Sequence, residues 1–214
     1  MWEFLVAGGP FMFVLVLTSI VSLTFIIERG LALRHDKVVP PGIEAALDQC
    51  HSPKDVAPLQ VVCHQQTSSL GRLVLTAIEH LPWPKSDNTD SIQTRGRHEL
   101  VQLERGLVVL EIVVGIAPLL GLVGTIHGLI TLFGDLSKSG LADNTVLAKG
   151  IAIALNTTLM GLLIAIPSLV AWSYYNKKVE SLSVEMETLL EDFLRRQYRR
   201  KGKTHQPVAE PSGE

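Results

Sequence analysis

Cysteine is scarce, with two in 214 residues. That is too few for a disulfide framework. An excess of one charge is lacking as well. Nineteen Lys and Arg stand against 21 Asp and Glu, a formal net charge of -2. A nucleic-acid binder would carry a lopsided basic balance, so that class is excluded. Aromatic residues supply only 6%. The chain shows no nucleophile–base pairing and no phosphate-binding loop, which leaves soluble catalysis without support.

The most telling absence is local. Phe4–Ile27, Ile112–Gly134 and Gly150–Asn176 hold 24, 23 and 27 residues without a charge, counting His127 as neutral. A helix crosses the hydrocarbon core with about 20 apolar residues. Core helices of soluble proteins seldom stay uncharged so long, because one face meets water. The three blocks are therefore expected to be membrane spans. The first lacks the basic leader of a signal peptide, is too long for an h-region, and runs directly into Glu28 and Arg29. It is expected to be a retained helix.

Basic residues set the orientation. None precedes the first block, nine lie between the first and second, two between the second and third, and eight follow the third. The rich side is expected to be cytoplasmic, with the N-terminus and the short hairpin outside. The fold class expected is all-α: a polytopic membrane protein with three transmembrane helices, helices two and three extending into a cytoplasmic helical bundle. The expected division is an N-terminal span over 1–29, a cytoplasmic loop with helices over 30–105, and a second span over 106–135. A short periplasmic hairpin over 136–148, a third span over 149–176, a cytoplasmic helix over 177–200 and a disordered tail over 201–214 complete it.

Within the loop, Ile43–Cys50 reads as a short helix interrupted by Pro53 and Pro58. Leu59–Leu81 reads as one amphipathic helix stopped by Pro82-Trp83-Pro84, and Lys85–Asp90 as a polar turn region. From Ser91 no proline occurs until Pro118, and Leu100, Leu103, Leu107, Leu110 and Val114 recur at helical spacing. One long helix is expected to enter the second span. Val179, Leu182, Met186, Leu189, Leu190 and Phe193 carry the third onward, with Glu180, Glu185, Glu187, Glu191 and Asp192 toward solvent. Cys50-His51 and Cys63-His64 do not have zinc-site spacing, and no metal is expected there.

The second and third blocks carry stripes of small residues. Pro118, Gly121, Thr125 and Gly128 fall within about 80° on a helix, and Gly150, Ala154, Thr158, Gly161 and Ala165 within a similar arc. Small residues allow close helix packing in lipid. The two threonines are less well explained by packing, since Ala would pack as readily. At 1.5 Å per residue each lies about 14–15 Å below the outer surface, at the middle of a core about 30 Å thick. Two readings stand: hydroxyls lining a narrow polar path, or hydroxyls bonded to the preceding carbonyl of their own helix. His127 and Asn156 lie about 12 Å and about 10.5 Å deep on other faces. They are expected to form a polar pair across the hairpin, with a titrating His127 as the sharper alternative. No carboxylate lies within the second or third block, so an acidic proton relay must come from a partner.

At these residues the chain resembles a known family. Ala117-Pro-Leu-Leu-Gly-Leu-Val-Gly-Thr-Ile-His-Gly128 is similar to the second-span signature of the ExbB/TolQ/MotA proton-channel proteins. Gly150-Ile-Ala-Ile-Ala-Leu-Asn-Thr-Thr-Leu-Met-Gly161 with Ala165-Ile-Pro167 is similar to the third-span signature. The resemblance covers about residues 70–195, and three spans fit the ExbB/TolQ branch better than the four-span flagellar stator.

The resemblance implies a subunit of a bacterial inner-membrane motor driven by proton motive force, not an enzyme. It implies a homo-pentameric ring around two copies of an ExbD/TolR-like single-span partner with an intramembrane Asp. A TonB-like or other envelope effector would receive the work. H⁺ is the implied coupling ion, with Na⁺ as the alternative, and no cofactor is implied. Carried over by motif, Thr125 and Thr158 match the threonines facing that Asp, and Pro118 the second-span proline. Gly121, Gly124, Gly128, Ala154 and Gly161 would pack the helices around the path. Ile153 occupies a position where many relatives carry Glu. Two other function classes remain: a passive scaffold that clusters partners through the cytoplasmic bundle, and a small-solute transporter, against which the lack of an inverted repeat counts.

Overall fold

The computed structural model describes residues 9–50, 55–139 and 144–204. Among these residues the regular elements are helices throughout: α1 (Gly9–Ala32), α2 (His35–Val38), α3 (Pro41–Gln49), α4 (Val56–Gln65), α5 (Ser69–Glu79), α6 (Lys85–Glu104), α7 (Leu107–Ser139) and α8 (Asn144–Thr204). The all-α expectation holds. The helices divide into two units. One comprises α1, α7 and α8 as far as Lys177; the other comprises α2 to α6 and α8 from Lys178.

In the first unit, α1, α7 and the apolar part of α8 are long and apolar enough to cross a membrane. Their large side chains point outward to an extent that water would not tolerate: Leu17, Leu119 and Val170 are 63%, 60% and 64% exposed. Such a surface suits lipid. The interior is narrow, built from Leu15, Val113, Ala117, Ile164 and Ala165 with Leu120 and Met160 against them. Two polar contacts tie α1 to α8. Ser22 Oγ and Ser168 Oγ lie 2.6 Å apart and are buried. The Ser168 hydroxyl donates to Ile164 O at 2.7 Å, so Ser22 must be the donor between them. The Tyr175 hydroxyl donates to Ile26 O at 2.8 Å, passing over Gly30, where a Cβ would stand 2.8 Å from the phenol oxygen.

Three expectations about the loop are corrected. First, no single helix runs from Ser91 into the second span. Helix α6 ends at Glu104, and Gly106 has φ +91 before α7 starts at Leu107. That left-handed conformation is costly for any residue with a Cβ. Second, Leu59–Leu81 is two helices. Ser68 is extended, and its Oγ accepts from the Gly71 N–H at 3.0 Å, a side-chain cap that starts α5. Pro58 does not interrupt; it sits in the first turn of α4, where its missing N–H costs nothing. Third, Lys85–Asp90 is the opening of α6, directly after Pro84, with Asp87 in its first turn. The short helix at Ile43 begins two residues earlier, on Pro41 at its first position. Helix α8 reaches Thr204. The remainder of the expected disordered tail, 205–214, and residues 140–143 of the expected hairpin lie outside the described residues.

The second unit has an ordinary apolar core. Ile43, Leu47, Leu59, Leu70, Val74, Leu182, Met186, Leu190 and Phe193 are all buried. The α8 residues recur at three and four, one stripe of a helix. Cys50 and Cys63 are buried thiols, and burial pushes Cys63 up to about 11. Within this core lies a carboxylate. Glu99 of α6 is fully buried, paired with Arg72 of α5 through Nε at 2.8 Å and through a second, short contact, and with Arg95 at 3.0 Å. Burial alone would raise its pKa. The bond and charge of Arg72, with Ser69 and Arg95, outweigh that and hold it below the ordinary 4.5.

Two measurements follow. Gly106→Ala is expected to cost about 1–2 kcal/mol in denaturant titrations, from the positive φ alone. Glu99→Gln is expected to cost about 1–3 kcal/mol near neutral pH, discounted because both arginines keep partial solvent access. The carboxylate's folded pKa is depressed, so its contribution is whole above its unfolded value and lost as pH falls through the lower folded one. Wild-type stability should therefore drop more than the variant's as pH falls below the ordinary 4.5.

Candidate functional site

The glycines of the two signatures place α7 and α8 in backbone contact. A Cβ on Gly161 would lie 2.5 Å from the Ala117 carbonyl oxygen, and one on Gly121 would lie 2.9 Å from Thr157 O and 3.0 Å from Thr158 Cα. At Gly124 a Cβ would meet Thr157 Cβ and Oγ1 at 3.1 Å and Phe11 Cβ at 3.3 Å. At Gly128 it would meet Ala154 Cβ at 3.3 Å. Glycine is required at the first two because any Cβ would collide with backbone. The small-residue stripes are thus the packing seam of α7 and α8. Pro118 is accommodated within unbroken α7.

The predicted threonines meet in this seam. Thr125 Oγ1 and Thr158 Oγ1 are 2.5 Å apart. Thr125 Oγ1 also reaches Ala154 O at 2.9 Å, on the opposite helix, and Gly121 O at 3.2 Å on its own. Thr158 Oγ1 reaches Gly121 O at 3.2 Å. Ala154 is four residues before Thr158, and Gly121 is four before Thr125. Each hydroxyl therefore reaches the carbonyl beneath the other threonine. The reading in which each bonds only its own helix is overturned. Thr125 and Thr158 are half-buried residues.

One member of the cluster escaped the sequence reading. Thr157 is 1% exposed. Its Oγ1 lies 2.7 Å from Ala154 O, 3.3 Å from Gly121 O and 3.3 Å from Thr125 Oγ1. The signal was the adjacent pair Thr157-Thr158. Thr157 is 100° from Thr158 on the helical wheel and so fell outside the stripe. Ser22 and Ser168 were missed likewise; a lone serine in an apolar run gives no spacing to read.

His127 and Asn156 are not brought together. Among the described residues no hydrogen bond joins them. The His127 ring stands edge-on to Phe11 of α1, centroids 5.4 Å apart, and its carbonyl accepts from Thr131 Oγ1 at 3.0 Å. The polar-pair expectation is corrected: the two side chains start on opposite faces of the seam from the threonines, and His127 turns toward α1. Ile153 is half-buried on α8. Among the described residues no group of His, Cys, Asp and Glu could hold a metal ion.

Residues 66–188 match the family described as the MotA/TolQ/ExbB proton channel family. The chain belongs to that family. It is therefore a multi-pass membrane protein of a transport-related class, not of an enzyme class. A Synechocystis protein named for its likeness to the biopolymer transport protein ExbB is 34% identical, over 79% of this chain and 68% of its own. The biopolymer transport protein exbB1 of Vibrio cholerae is 36% identical over 55% of this chain and 52% of its own. The Helicobacter pylori biopolymer transport protein ExbB is 35% identical over 39% and 57%. The matches thus span about two thirds of the first relative and little more than half of the other two.

The seam makes a direct demand on sequence. Gly161→Ala is expected to force α7 and α8 apart, because the new methyl meets backbone and not a movable side chain. A loss of about 1–3 kcal/mol is expected, read as earlier thermal unfolding in detergent, while Gly115→Ala, where a Cβ meets nothing within 4 Å, should behave as wild type.

Proposed function

We propose that the chain is the ring-forming subunit of an inner-membrane motor driven by proton motive force, working with an ExbD/TolR-like single-span partner. The observation that carries this reading is the hydroxyl cluster of Thr125, Thr157 and Thr158 in the seam of two membrane helices. Those helices contribute no carboxylate of their own between Ile112 and Gly134 or between Gly150 and Asn176. Hydroxyls can donate to a carboxylate and accept from a carboxylic acid, but they do not titrate near neutral pH. A partner Asp in the membrane supplies the titrating group.

In this reading, a proton from the outer side neutralises the partner's Asp. While charged, the carboxylate is held beside the Thr125 and Thr158 hydroxyls, because leaving them means entering lipid unsolvated. Once neutral it is released, the partner steps to the next subunit, and the proton leaves on the cytoplasmic side. One charge crossing 100 mV supplies about 2.3 kcal/mol. A homo-pentamer around two partner helices would turn such steps into work on an envelope effector. H⁺ is the proposed coupling ion, with Na⁺ as the alternative.

The test is co-purification with the partner, reconstitution into vesicles, and dye-reported proton flux under an imposed gradient. Thr158→Val matches the size and removes the hydroxyl. It is expected to assemble normally and to lose most of the flux. Full flux in that variant would refute the polar path; binding of partners without any dependence on the gradient would favour a passive scaffold.

A further inference from the structure

The hydrogen-bond arithmetic of the threonine cluster does not balance, and the imbalance points to a role for Thr157. Three hydroxyls bring three protons. The nearby acceptors besides the hydroxyls themselves are two backbone carbonyls, Gly121 O and Ala154 O. Each carbonyl has two lone pairs. In a helix one of them serves the backbone N–H four residues on, here that of Thr125 and of Thr158. One lone pair per carbonyl is left, which makes two places for three protons.

Thr157 takes one of them. It is the most deeply buried of the three, and its 2.7 Å contact with Ala154 O is the shortest hydroxyl–carbonyl distance in the cluster. Were it to turn to Gly121 O at 3.3 Å instead, the count would be the same. Thr125 and Thr158 then share a single carbonyl lone pair. Whichever of them uses it, the other has no carbonyl left: Thr158 then has only Thr125 Oγ1 to donate to, and Thr125 has Thr158 Oγ1 or, farther off at 3.3 Å, Thr157 Oγ1. Their oxygens stand within hydrogen-bond reach of each other. With Thr157 absent, both would find carbonyls: Thr125 at Ala154 O and Thr158 at Gly121 O, the reciprocal arrangement at 2.9 and 3.2 Å. Nothing would then oblige either to donate to the other.

We propose that Thr157 is a positioning residue that keeps the Thr125–Thr158 hydrogen bond in being and its direction reversible, by occupying one of the two carbonyls the pair would otherwise use. The two directions differ only by rotation of two hydroxyl groups; no O–H bond breaks and no heavy atom moves. The hydroxyl without a carbonyl can keep its proton on its neighbour, which leaves oxygen lone pairs for a neutral carboxyl, or turn that proton out of the pair to a carboxylate. This inference rests on the proton-path reading above.

The test uses the full chain with its partner in vesicles, comparing wild type with Thr157→Ala and Thr157→Ser. Flux is expected to fall about tenfold in the alanine variant, the order expected for fixing one hydrogen bond, and to return to within about twofold in the serine variant. In parallel, solid-state NMR reads the proximity of the Thr125 and Thr158 hydroxyl protons and the carbonyl shifts of Gly121 and Ala154. The hydroxyl–hydroxyl contact should weaken in Thr157→Ala and be restored in Thr157→Ser. An unchanged contact in the alanine variant overturns the inference. So does a serine variant as impaired as the alanine one, which would mean that the methyl and its packing matter and the hydroxyl does not. Wild-type vesicles that pass no protons would refute the proton-path reading instead; the NMR contact decides the role of Thr157 in either case.

Discussion

The direct backbone contact of α7 with α8 is the constraint on which the membrane unit depends. In hydrocarbon no water stands ready to satisfy a hydroxyl, and a side chain that cannot reach a partner pays for its isolation. Thr125 and Thr158 reach across to carbonyls of the opposite helix because the backbones stand close enough. They stand that close because Gly121 and Gly161 carry nothing to hold them apart. Packing and polarity are one feature here. The same residues that let the helices touch bring the hydroxyls to the carbonyls.

The second unit solves a different problem with ordinary means. Helices α2 to α5 are short, and α6, though 20 residues long, is mostly polar, so apart from α8 none has an apolar stripe long enough to stand alone. They are held by shared leucines and by a buried charge. Glu99 is tolerated because Arg72 grips it with two nitrogens while Arg95 and Ser69 take what remains. An isolated carboxylate at that depth would be neutral, or the unit would not close around it.

Much of this was legible in the chain. Absence of charge over 24, 23 and 27 residues identified the spans, because the cost of a charge in lipid leaves a plain mark on composition. The equal depth of Thr125 and Thr158 and their place on the small-residue stripes were legible, but not that the two hydroxyls bond one another. What failed depended on a single residue overriding a period. The leucines from Leu100 to Val114 continue at helical spacing straight through Gly106, and the periodicity conceals a residue at φ +91. The cap at Ser68 is similarly invisible to a count of apolar positions. Thr157 was overlooked for the opposite reason. The wheel measures angle from one axis, whereas its oxygen turns back along the helix to a carbonyl three residues earlier. Asn156 and His127 were paired by depth and by facing away from the threonines, which does not make those two faces meet.

The bond between Ser22 and Ser168 has a consequence for how the chain is made. The two serines are 146 residues apart, one in the earliest of the three described spans and the other in the latest. During synthesis the first span must wait in lipid with its hydroxyl turned back on its own helix, as membrane serines do. Only when the last span arrives can that hydroxyl be handed across, and only in one register, because a slip by a turn would carry Ser22 past its mate. Of these three spans, the earliest made is thus the last to find its depth, and the latest sets where it sits.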